Sequence, residues 1–131
     1  MKTSLVFLAL QIVFILYLNK LRLNQKFKLT ITKIAFLSTL LFYVMIVATA
    51  FFLKFKYQYE LDSFDVNKDG FFSGNEINDE QQKAMQNVIA DTGRNLAPIF
   101  GIVISIIYLI VLLPILLLID KLYTTFKLKL S

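Results

Sequence analysis

Apolar positions along this chain fall into three long runs rather than into strand-like alternation. Thr3–Leu18 carries no charge, and Gln11 is its one strongly polar residue. Ile34–Leu53 is twenty residues without a charge. Leu96–Ile119 is twenty-four residues, interrupted only by Pro98, Gly101, Ser105 and Pro114. At helical rise about twenty residues cross a hydrocarbon core of about 30 Å. The second and third runs therefore span outright, and the first needs snorkelling by Lys2 and Lys20 or local thinning of the bilayer. The pattern predicts an all-α fold of three transmembrane helices.

The first run also has the outline of a signal peptide. The residues that follow it, Tyr17-Leu18-Asn19-Lys20-Leu21-Arg22, offer no small-x-small cleavage site. An uncleaved helix is therefore expected. No Gly or Pro occurs before Gly70, so a single helix about 45 Å long is expected from Ile34 to Phe64. The linker before it is expected to turn near Asn24-Gln25. The expected division is a helix over 1–19, a basic linker over 20–33, a helix over 34–54, a loop domain over 55–93, a helix over 94–120 and a basic tail over 121–131.

Composition sharpens this picture. The chain is 57% hydrophobic, above the roughly 45–50% of soluble domains. It has no cysteine and no histidine. That excludes disulfides, thiol catalysis and histidine general bases, and no enzyme is expected. The net charge of +5 gathers at span ends: Lys20, Arg22, Lys26, Lys28 and Lys33 in the linker, and Lys121, Lys127 and Lys129 in the tail. Charge so placed anchors and orients helices in a bilayer, and nucleic-acid binding is not expected. The positive-inside bias puts linker and tail in the cytoplasm and the loop domain outside.

The loop domain carries the chemistry. Residues 65–76 read Asp-Val-Asn-Lys-Asp-Gly-Phe-Phe-Ser-Gly-Asn-Glu. Tyr57, Leu61 and Phe64 share a helix face before it, and Ile77, Ala84, Met85 and Val88 form a weaker one after it, ending at Gly93 as a C-cap. Ser73 with Glu76 reads as a capping box for the exit helix. The segment from about Lys56 to Thr92 resembles the helix–loop–helix of the EF-hand calcium-binding family. The resemblance covers under a third of the chain and departs from the family at Glu80 and Gln81, where apolar residues are usual. It implies a Ca²⁺ site with Asp65, Asn67, Asp69, the Phe71 carbonyl, Ser73 through a water, and a bidentate Glu76 as ligands. Gly70 supplies the reversal of the chain. Phe72 would fill the small core of the helix pair with Phe71 incidental, or the two adjacent aromatics would form a partner or lipid contact.

The function expected from these features is that of a calcium-binding accessory or structural subunit of a larger membrane complex, with Ca²⁺ folding the loop between spans two and three. The alternative is a membrane calcium sensor transmitting loop opening to spans two and three. The partners expected are the lipid bilayer and other membrane subunits or further copies of this chain. Gln11 is a candidate interhelical hydrogen-bonding group, whereas Ser38, Thr39, Thr49 and Ser105 can bond their own helix backbone. Asp120 reads as a boundary charge, and Pro114 as a kink in span three.

Overall fold

The computed structural model describes residues 2–24 and 28–130. Of the turn expected at Asn24-Gln25, Asn24 is described, its N–H bonded to the Lys20 carbonyl at 3.0 Å, and Gln25 is not; the charge at Lys26 and the side chains of Lys2 and Lys127 also lie outside what is described. The chain forms helices α1 (Lys2–Leu23), α2 (Ile31–Asp62), α3 (Asp79–Ala90) and α4 (Ala97–Leu130). Short 3₁₀ turns occur at Gly74–Glu76 and Asp91–Leu96. Among the described residues three helices are long and apolar enough to cross a membrane. This is an all-α integral membrane protein with several passes.

Helix formation follows from the solvent. Hydrocarbon offers no partner for a backbone N–H or C=O, so each span must close its own hydrogen bonds. α2 starts three residues before the charge-free run because Thr30 caps it. The Thr30 hydroxyl accepts from the Lys33 N–H at 3.3 Å, and the Thr30 carbonyl from the Ile34 N–H at 3.0 Å. It ends where successive bonds shorten to three-residue turns, Phe64 N–H to Leu61 and Asp65 N–H to Asp62. The single long helix expected from the absence of Gly and Pro is present.

The third expected element differs. The chain is helical without a break from Asp79 to Leu130, tightening to 3₁₀ over Asp91–Leu96. It is one continuous bent helix, not an EF-hand inserted as a separate motif between spans two and three. Gly93 is not the expected C-cap, since only Gly70 and Gly74 among the described glycines take positive φ. Pro98 lies in the first turn of α4, directly after the 3₁₀ segment, where its fixed φ is compatible with the helix. Pro114 lies inside α4 and leaves one carbonyl a turn earlier without its helical donor.

The helices belong to two compact units, Met1–Val44 with Ile102–Ser131, and Met45–Gly101. In the first, Leu18, Ile31 and Ile34 form a small core. Ala35 and Ser38 are fully buried, and such small side chains let helices approach closely. α1 contributes Leu18 and Gln11 to this interior, so it is a structural member of the bundle. In the second unit the buried residues among those described are Leu61, Gln81, Ala84 and Gly101. α3 thus buries a Gln81–Ala84–Val88 stripe, while the expected face members Ile77 and Met85 stay exposed.

Candidate functional site

In the span unit, a polar cluster ties the three helices together. Ser38 on α2 donates to the Gln11 side-chain oxygen on α1 at 2.8 Å. Tyr108 on α4 donates to the same oxygen at 3.3 Å, and its hydroxyl lies 3.2 Å from that of Ser38. The Tyr108 ring stacks on Phe42, centroids 4.4 Å apart at 19°. Gln11 therefore does bond its neighbours, as expected. Ser38 does not bond its own backbone, and Tyr108 carried no sequence signal beyond being the one phenol deep in span three. Thr39 and Thr49 do bond their own helix, at 2.9 Å to Ala35 and 2.7 Å to Met45.

At one end of this unit Arg22 on α1 forms an ion pair with Asp120 on α4. The side chains are 19% and 29% exposed, so the pair is shielded but not dry. Asp120 is thus more than a boundary charge: it joins the first span to the last. A sequence clue existed, because both residues sit at span ends expected on one membrane side. Beside the pair opens a cleft of about 170 Å³. Ile15, Ile34 and Leu116 line its apolar part, and Asn19, Arg22 and Asp120 its polar part. The Asn19 Oδ1 and Arg22 Nε atoms are buried without a hydrogen-bond partner among the described residues.

A second concavity, about 310 Å³, lies between Phe36, Thr39 and Tyr43 on α2 and Ile102, Ser105 and Leu109 on α4. Ser105 is 5% exposed. Contrary to expectation, its hydroxyl bonds neither its own backbone nor another side chain. Thr39 and Ser105 are the small residues of this lining.

The 65–76 loop, in the other unit, is closed by its own hydrogen bonds. Glu76 Oε1 accepts from the Val66 and Asn67 N–H groups at 3.0 and 3.3 Å. Its Oε2 accepts from the Ser73 N–H at 3.1 Å. Asp65 accepts from the Asp69 and Gly70 N–H groups at 3.2 and 2.9 Å, and Asp69 from Phe71 at 2.8 Å. The Asn67 amide oxygen accepts from the Asp69 N–H at 3.0 Å, which turns its NH₂ onto the Asp69 carboxylate at 2.9 Å. Gly70 takes φ +81° and Lys68 φ +59°, the left-handed backbone that reverses the chain.

This arrangement corrects the calcium reading. Among the described residues no group of three or more Asp or Glu side chains, and no other acid, His or Cys set, is gathered to hold a metal ion. Asp65, Asn67, Asp69 and Glu76 point oxygens at backbone N–H groups, and Asn67 places a donor beside Asp69 where a cation needs a further oxygen. Phe71 enters through its N–H group, and Ser73 gives its N–H to Glu76 and takes the Glu76 N–H on its carbonyl at 3.1 Å. The residues present do not fit a Ca²⁺ cofactor. With the cofactor go both the calcium-folded accessory subunit and the calcium sensor. The exit helix is also built differently. α3 is capped by Asn78, whose side-chain oxygen accepts from the Gln81 N–H at 2.8 Å, and Ser73 with Glu76 serves only the 3₁₀ turn. Phe71 is exposed and Phe72 half-buried.

Around the loop, Arg94 stacks over the Tyr57 ring, 5.2 Å from its centroid. Lys54 donates to the Asn95 side-chain oxygen at 2.9 Å. Both contacts join the C-terminal part of α2 to the segment that leads into α4.

No protein-family model, no curated protein and no solved structure matches the chain, the EF-hand family included.

Proposed function

We propose that the protein is a non-catalytic membrane scaffold that self-associates through the α2–α4 concavity whose lining includes Thr39 and Ser105. That concavity is the observation that carries the reading. Only 11% of the first two span windows and 6% of the third is buried, so lipid or other helices cover most of their apolar surface. Apolar side chains alone do not select protein over lipid, because lipid tails are equally apolar. A groove with small residues in its lining does, since it lets a second helix come close enough for dense packing. α4 also carries the spacing Gly101-xxx-Ser105, a pattern suited to pairing with a second copy of itself. A two-fold arrangement sets the same patch on both partners. The interior supports a structural role as well: Gln11, Ser38 and Tyr108 fix three helices to one another, and no charge lies among them.

Cross-linking tests the self-association. The chain has no cysteine, so Ile106→Cys at the rim of the concavity reports on one contact alone. A disulfide-linked dimer is expected from this variant in native membranes. Adding Ser105→Phe, which adds bulk to the lining, should cut the yield about tenfold, the effect of roughly 1.4 kcal/mol. Absence of dimer at every expression level, or a yield indifferent to Ser105→Phe, would overturn the reading.

The charge bias places the linker and tail in the cytoplasm and the 65–76 loop outside. A membrane-impermeant maleimide should then label Asn75→Cys in intact cells and leave Lys129→Cys unlabelled. The reverse pattern would invert this orientation while leaving the association untouched.

A further inference from the structure

We infer that the cleft beside the Arg22–Asp120 pair is a binding site for an anionic phospholipid. Its two ends demand different chemistry from one occupant. The inner part is walled by Ile15, Ile34 and Leu116, which suit an acyl chain. The outer part presents Asn19 and Arg22, each with a buried polar atom that no described residue satisfies. The volume, about 170 Å³, is several times the roughly 30 Å³ that one water takes up in the liquid. Close-packed interiors rarely leave such a space unfilled.

Charge selects the headgroup. Lys20 lies two residues before Arg22 on α1, Lys28 and Lys33 flank the start of α2, and Lys121 follows Asp120 on α4. These four are exposed, and Lys33 is already turned back, its ammonium donating to the Lys28 carbonyl at 3.3 Å. With Arg22 they make five cations against the single acid Asp120, which Arg22 already engages. A phosphate diester supplies acceptors to Arg22, the cation that lines the cleft, and the nearby lysines add to the positive field around it. A glycerol headgroup adds hydroxyl donors for the Asn19 oxygen. Basic clusters at the ends of spans are also where anionic lipid headgroups lie in a bilayer. A free phosphate ion would satisfy the cations but leave the apolar half of the cleft empty.

Detergent-purified protein supplies the test, with phosphatidylglycerol, phosphatidylcholine of the same chains, and inorganic phosphate as probes. Native mass spectrometry should show one phosphatidylglycerol retained per chain where phosphatidylcholine is stripped. The thermal midpoint should rise with phosphatidylglycerol alone, as expected for a ligand of the folded state. The neutral double variant Arg22→Gln/Asp120→Asn should bind phosphatidylglycerol about tenfold more weakly, through loss of a charged donor. Asn19→Leu should weaken it in the same direction, and it serves as the reporter if the double variant does not fold. Equal retention of both lipids by the wild-type protein would overturn the inference without any variant. So would stabilisation by inorganic phosphate matching that of the lipid, which would leave an anion site only. Unchanged binding in the folded variants would overturn it as well.

Discussion

Replacing Glu76 by alanine should melt the 65–76 loop while leaving the spans folded. Its two carboxylate oxygens accept from the N–H groups of Val66, Asn67 and Ser73. One side chain thereby ties the entry of the loop to its exit, about ten residues later. Hydrogen bonds to an ionised acceptor contribute roughly 1.5–3 kcal/mol when well shielded. In this open loop a total loss of about 2 kcal/mol is expected. Hydrogen exchange at Val66, Asn67 and Ser73 should accelerate about thirtyfold, because 1.4 kcal/mol is a factor of ten. Exchange within α1 should not change. The effect should be equal in calcium and in chelator, because backbone N–H groups and not a cation hold the carboxylate. A loop that loses protection in chelator without any mutation would restore metal closure and rule out closure by hydrogen bonds alone. Glu76→Gln should fall between wild type and alanine, since it keeps one acceptor oxygen and loses the charge.

The second large effect is expected where the first and last spans meet. Asp120→Leu leaves the Arg22 guanidinium, 19% exposed, without its carboxylate. Breaking a buried pair costs roughly 3–5 kcal/mol and an exposed one under about 1. At this intermediate shielding about 2 kcal/mol is expected, read as a lowered midpoint on titration with a denaturing detergent. The double variant Arg22→Leu/Asp120→Leu should recover most of that loss, because no uncompensated charge remains. Should the double variant be no better than Asp120→Leu, the pair does not couple these helices. Arg22→Leu alone should be milder than Asp120→Leu, since the carboxylate it strands is the more exposed of the two.

Much of the architecture was legible in the chain because hydrocarbon imposes a one-dimensional rule. Long charge-free runs must become helices, and the three runs did so, α1 and α2 with ends displaced by up to five residues from the expected ones and α4 running on to Leu130 through the expected basic tail. Local chemistry accounts for those displacements: Thr30 caps α2 early, and Lys20 and Arg22 favour the last turn of α1. The reversal at Gly70 was legible for the same kind of reason, since it depends on one residue's own φ. The continuity of α3 with α4 was not. Gly93 is a good C-cap in isolation, but a C-cap requires left-handed backbone there, and the chain stays helical instead.

The loop shows most clearly where sequence reasoning runs out. Spacing places acids at alternate positions of a tight reversal, and that much follows from residue order. Whether their oxygens meet at one point or turn onto neighbouring N–H groups is a matter of angles, decided only in three dimensions. In this loop they turn onto the backbone. The same limit explains Ser38, Tyr108 and Asp120. Sequence gives each a depth along its helix but not a rotation about the helix axis, and partners 27 to 98 residues apart are chosen by that rotation. The sequence by itself determined that this protein is helical, membrane-spanning and without cysteine or histidine chemistry. Tertiary structure decided which polar groups face one another, because hydrogen bonds need direction as well as distance, and residue order carries neither.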